Sequence, residues 1–167
     1  MQIHFHPPHR RFQPRCGAAA VELAVVAPLV VGLLVGLLEV GQIVKVKQIV
    51  SNAAREGART ASTGVNTYAN VQTTVANYLT NAGITNQSGL TVTVSDVTQD
   101  NSGPQFNPST ANWLDQLQIT VTLPYSNVQL APLPIPPNTV ISAQAVWFSN
   151  QDQPYPTSTS ITPPSGS

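Results

Sequence analysis

The sequence predicts an α+β protein, with a long amino-terminal helix whose front half lies in a membrane and whose rear half packs on a small antiparallel sheet. Three observations lead there. One apolar stretch runs from Ala18 to Leu38, broken only by Glu22. A three-and-four-residue apolar period continues beyond it, as on one face of a helix. Further along, the period changes to two, first around Leu90 and again around Leu117, as in half-buried strands.

The apolar stretch comes first. A helix of about 21 residues rises about 31 Å, the thickness of a bilayer's hydrocarbon core. A cleaved secretory signal would need a small-x-small site after the run, but Glu39-Val40-Gly41-Gln42-Ile43-Val44-Lys45 follows it. The Arg10-Arg11 pair lies too far ahead of the run for twin-arginine export. Cys16, the only cysteine, excludes an intrachain disulfide, and Gln13-Pro14-Arg15 before it exclude a lipoprotein signal. Arg10, Arg11 and Arg15 precede the span while Lys45, Lys47, Arg55 and Arg59 follow it, so the positive-inside rule does not orient it.

Ile43, Val46, Val50, Ala53 and Gly57 carry the helical stripe onward, with Lys45, Lys47, Arg55, Glu56 and Arg59 off it, so one helix extends from residue 18 to about 61. Thr63-Gly64 ends it. Tyr68, Val71, Val75, Tyr78, Leu79 and Ala82 mark a second helix, closed by Gly83. Leu90, Val92 and Val94 form the first strand. Leu117, Ile119, Val121 and Leu123 form the second, stopped by Pro124, and Val140 to Phe148 form the third. From Ser149 onward the chain is rich in Ser, Thr and Pro, a composition that predicts a disordered tail. The predicted organisation is a leader over 1–17, a span over 18–41, an exported domain over 42–150 and a tail over 151–167.

Composition narrows the function classes. Charged residues make up 8% of the chain, against roughly 25% in ordinary soluble proteins. The formal net charge is zero, and no basic stripe points to nucleic acid. His4, His6 and His9 all lie in the leader with Cys16. Without that leader neither a His-based triad nor a usual zinc site can form, so we expect no enzyme activity, no cofactor and no metal centre. Asp96, Asp100 and Asn101 lack EF-hand spacing and read as a polar turn. Asn86-Gln87-Ser88 fits a glycosylation sequon, a pattern common by chance.

The residues richest in meaning are Gly17-Ala18-Ala19-Ala20-Val21-Glu22-Leu23, placed after a basic leader and at the head of the apolar run. A carboxylate near the head of a lipid-embedded helix costs several kilocalories per mole unless neutralised. A cut after Gly17 would create an ammonium group on Ala18, one helical turn away, and would leave Glu22 in the first turn, where the helix dipole favours negative charge. Glu39 sits near the other end of the span and is expected at the outer interface beside Lys45 or Lys47, with an intersubunit contact as the alternative. Pro28 removes one backbone hydrogen bond. Gly32-x-x-x-Gly36 and Gly41 provide close-approach surfaces for another helix.

The Gly17 to Leu23 segment resembles the processing site of type IV prepilins, specifically the Flp/Tad branch and its TadE-like pseudopilins. Pro28, Glu39-Val40-Gly41 and Ser51-Asn52-Ala53-Ala54-Arg55-Glu56-Gly57-Ala58-Arg59 extend the resemblance. Leu23 departs from it, since an aromatic usually follows the glutamate. The resemblance implies a pilin-like fold and cleavage between Gly17 and Ala18 by a membrane-embedded prepilin peptidase. It further implies assembly through Glu22, Leu23, Pro28 and Glu39 with other pilins, pseudopilins and the pilus assembly membrane platform. The mature chain would then be single-pass in the inner membrane, in contact with lipid, its carboxyl-terminal domain periplasmic or carried into a pilus. The alternative is an uncleaved signal-anchored protein with an exterior binding domain.

Overall fold

The computed structural model describes residues 16–98, 103–130, 136 and 138–151. The leader's histidines and arginines, Asp100, Asn101 and the tail from residue 152 lie outside the described residues. The chain divides into two compact units, Met1–Leu38 and Glu39–Ser167.

The element order is helix, helix and three strands, so the structure has the α+β class expected. Helix α1 spans Cys16–Ser62, with Pro28 inside it. Within the first unit, none of the described side chains from Gly17 to Leu38 is buried. Within the second unit, α1 turns inward a face of small and branched residues: Val46, Val50, Ala53, Ala54, Ala58 and Ala61 are all buried. The predicted stripe holds from Val46 onward, whereas Ile43 is partly exposed. Lys45, Lys47, Arg55 and Arg59 lie on the exposed side, as their charge requires. Arg59 donates to Glu56 at 2.5 Å and 3.0 Å, which holds the Glu56 carboxyl below its ordinary range. That contribution is present above the usual carboxylate range and fades as pH falls. At an exposed site it is small.

Helix α2 spans Tyr68–Asn81, started by the Thr67 side chain, which accepts from the Asn70 amide. It buries Val71, Val75 and Leu79 on one face. Gly57 is where α1, α2 and the sheet meet. A Cβ added there would stand 2.8 Å from a Val75 methyl and 3.4 Å from one of Ile119, so only hydrogen fits. Gly64, at φ +72°, makes the left-handed turn that ends α1.

Strands β1 (Thr91–Asp96), β2 (Gln116–Pro124) and β3 (Val140–Phe148) form one antiparallel sheet in the order β1-β2-β3. Val94 stands opposite Ile119, and Ile119 opposite Ala145; Val92, Val121 and Ala143 repeat this one pair along. These pairs share the face that meets the helices, while Thr91, Thr93, Thr120 and Thr122 point away. Alternation places Val92, Val94, Leu117, Ile119, Val121, Leu123 and Ile141 in the core. A Val or Leu side chain removed from water in this way is worth about 1.5–3 kcal/mol.

One expectation changes. The chain does not leave the fold at Ser149: that residue is buried and donates to the Asp115 carbonyl, and Asn150 donates to the Ser62 carbonyl. Gln151 then reaches the carbonyls of Gly64 and Ser109 at 3.0 and 2.7 Å. Backbone pairing past β3 outweighs the polar composition that predicts disorder there. Asp96 is the buried last residue of β1, and its side chain accepts from the Thr98 amide at 2.8 Å, the polar turn expected of it.

Candidate functional site

The residues of interest lie along α1, so helix periodicity positions them. Gly17 is the second helical residue and is exposed; a Cβ built on it meets nothing within 4 Å. The same open space surrounds Gly32, Gly36 and Gly41. At Gly57 the fold itself excludes a side chain, but at Gly17 it does not. A helix also loses up to about 1 kcal/mol by having glycine in place of alanine in its interior. Nothing among the described residues accounts for that glycine.

Ala18, the residue after it, is helical. Glu22 and Leu23 are exposed, Leu23 at 67%, and Pro28 is exposed too. Glu22 does not occupy the first turn in this uncut chain. The helix begins at Cys16 and its first turn holds no acid. Among the described residues the helix already runs through Cys16 and Gly17, ahead of Glu22.

Glu39 departs furthest from expectation. It is 3% exposed, and its carboxylate accepts from the Tyr125 hydroxyl and, at 3.3 Å, from the Leu130 amide. These two hydrogen bonds run to the segment that follows β2, whereas Lys45 and Lys47 are exposed. One helical turn on, the Gln42 side chain donates to the Val128 carbonyl at 3.3 Å. Tyr125 is itself buried and escaped the sequence reading. Its only signal was an aromatic directly after the Pro124 strand stop, and nothing in the sequence pairs it with a glutamate 86 residues earlier.

One helix among the described residues is long and apolar enough to cross a membrane, and it is α1, whose most apolar window is entirely unburied. Its apolar front, the exposed acid at 22 and the unforced glycine at 17 stand in one register.

Residues 17–59 match the family model of TadE-like proteins. The TadE-like segment begins at Gly17 and ends at Arg59, so it lies wholly within α1 and takes in Gly17, Ala18, Glu22, Leu23, Pro28 and Glu39. It stops short of α2 and the sheet. No curated protein and no solved structure matches the chain.

Proposed function

We propose that the chain is a minor pseudopilin of a Flp/Tad-type pilus. Prepilin peptidase cuts it between Gly17 and Ala18, the front of α1 stays in the inner membrane, and the domain that follows faces the periplasm. Assembly with other pilins on the membrane platform then supports initiation or growth of the pilus. The subunit acts by binding, without catalysis.

The observation that carries this reading is Gly17. It lies at the boundary between a basic leader and a TadE-like segment, and among the described residues nothing requires its lack of a side chain. A protease that must lay the backbone into its site supplies the purpose. Cleavage also leaves an ammonium group on Ala18, one turn from Glu22, where it offsets the cost of an acid near lipid.

Intact mass of the membrane-extracted protein, from cells with an active prepilin peptidase, tests the reading. A chain starting at Ala18 is expected, and Gly17→Leu is expected to keep the leader while folding normally, because the space at 17 is open. Native protein that still carries its first 17 residues would replace the pilus reading with that of an uncleaved membrane anchor.

A further inference from the structure

Among the described residues, strand β3 leaves one edge of the sheet open. The order β1-β2-β3 makes it a border strand, and the hydrogen bonds at its two ends fix which groups face out. Tyr125 donates to the Thr139 carbonyl at 2.9 Å, and Ser149 donates to the Asp115 carbonyl at 2.8 Å. In the antiparallel register these pairs make the odd-numbered residues of β3 the ones bonded to β2. The N–H and C=O groups of Val140, Ser142, Gln144, Val146 and Phe148 therefore point away from the sheet, and all five residues are exposed.

The opposite border is covered. On β1, Val94 donates to the Pro104 carbonyl at 3.1 Å and accepts from the Phe106 amide at 2.9 Å, while the Val92 carbonyl accepts from the Tyr68 hydroxyl at 2.7 Å. No such cover lies beyond β3 among the described residues. Border strands are commonly blunted by charge, proline or brevity. β3 has nine residues, none of them charged and none a proline. It also carries apolar bulk, since Val140, Val146, Trp147 and Phe148 are each about half exposed.

The choice of occupant follows from what could match nine residues. The chain's own end does not: residues 152–167 include Pro154, Pro156, Pro163 and Pro164 and no proline-free stretch longer than six residues, and proline cannot donate to a ladder. In a second copy, β2 is central and β1 is covered, which leaves β3. Pairing β3 with itself about Gln144 matches every residue. On the outer face Val140 meets Phe148 of the second copy, Ser142 meets Val146, and Gln144 meets Gln144. On the helix face Ile141 meets Trp147 and Ala143 meets Ala145. Aromatic residues thus face branched ones, a favourable cross-strand pairing, and no charge opposes another. With one open edge per chain, a two-fold pair closes both and does not propagate.

We propose that β3 pairs antiparallel with β3 of a second copy, centred on Gln144, to form a continuous six-stranded sheet. Trp147 and Phe148 leave roughly 75–125 Å² apiece open, so two copies hide roughly 300–500 Å² of aromatic surface. A stable interface buries about 1,200 Å² or more, so four side chains supply a quarter of it and the ladder has to supply the rest. The pair is accordingly concentration-dependent, and a covalent trap reads it best. The pairing goes beyond the function above and does not depend on leader cleavage.

The test uses the full chain in membranes under mild oxidation, with the only cysteine replaced (Cys16→Ser) and single cysteines placed along β3. Gln144→Cys is expected to give a disulfide-linked product of twice the chain mass, because opposed Cα atoms about 5.5 Å apart suit that bond. Ser142→Cys and Val146→Cys should each remain single, since four residues along a strand span about 13 Å. Coexpressed, those two variants should crosslink to each other. Val146→Pro, added to Gln144→Cys, removes an outward N–H and leaves the ladder to β2 intact. It should lower the crosslinked fraction by at least about ten-fold, through the lost hydrogen bond and the clash of the ring, while the β2 amide resonances stay dispersed. Contacts made through the span are common to all variants, so only this pattern reports on β3. Equal crosslinking at 142, 144 and 146 would overturn the pairing, as would no product at 144 or crosslinking that survives Val146→Pro. A product whose mass reveals a different protein would give the edge to that partner and overturn it too. The expected pattern on a chain with its leader uncut would remove the pilus reading and keep the pairing.

Discussion

Glu22 and Glu39 are acids on the same helix, and their surroundings give them opposite tasks. Glu39 is buried and hydrogen-bonded to groups of its own chain, so it holds the chain together. Glu22 is exposed on an apolar surface, where a charge is costly in lipid without a partner. In the proposed function that partner is the new amino terminus or another subunit. Glu22→Ala should therefore be cleaved and folded like the native chain, yet lose its crosslinks to neighbouring pilins by at least about ten-fold, the equivalent of ~1.4 kcal/mol. Undiminished crosslinking of the cleaved variant would take Glu22 out of the assembly mechanism. The contrast between the two acids was only half legible. Spacing from Gly17 singled out Glu22, because both residues lie in one local pattern. Glu39 looked like a second interfacial charge because its partners, Tyr125 and Leu130, are brought to it only by the returning chain after β2.

At the scale of elements, α1 is tied to the segment after β2 by Tyr125, Leu130 and Val128, which reach Glu39 and Gln42. Deleting the Tyr125 hydroxyl leaves a buried carboxylate short of a donor, a loss of about 1–3 kcal/mol. Tyr125→Phe should lower the unfolding free energy by that amount and speed amide exchange at Leu130, while Glu39→Gln, which keeps an acceptor, should cost less. Equal stability of Tyr125→Phe and the native chain would show the latch to be dispensable. The elements themselves were nearly all readable. The two-residue period of Leu117, Ile119, Val121 and Leu123 survives as β2, because one face is buried and the other wet. Tyr68 to Ala82 reads as a helix because its apolar residues recur at helical spacing, and Val71 and Val75 of that face pack at Gly57 of α1. The irregular segments were harder: the pinning of Ser149 to Gln151 depends on Asp115, Ser62, Gly64 and Ser109, residues a local window does not contain.

Among the described residues, the buried apolar core lies on one side of Leu38. Each of its members, from Val46 to Ile141, belongs to the Glu39–Ser167 unit, while the described side chains from Gly17 to Leu38 are mostly apolar yet unburied. Folding of the second unit should therefore not require the first. A chain starting at residue 39 is expected to stay soluble without detergent, melt cooperatively by circular dichroism and keep dispersed amide resonances for β1 to β3. Aggregation, or a broad non-cooperative melt, would mean that the front of α1 takes part in the core. The TadE-like match, by contrast, ends within α1 and leaves α2 and the sheet outside it.

The inward face of α1 is built almost entirely from alanine and glycine between Ala53 and Ala61. Such a surface has only methyls to lose, and losing one costs the helix up to about 1 kcal/mol. Growth fares no better at Gly57, since a single methyl there already collides with Val75 and extra carbon in a filled interior has to displace its neighbours. Tolerance is narrow in both directions: this stretch of helix loses stability when an alanine shrinks and when Gly57 grows.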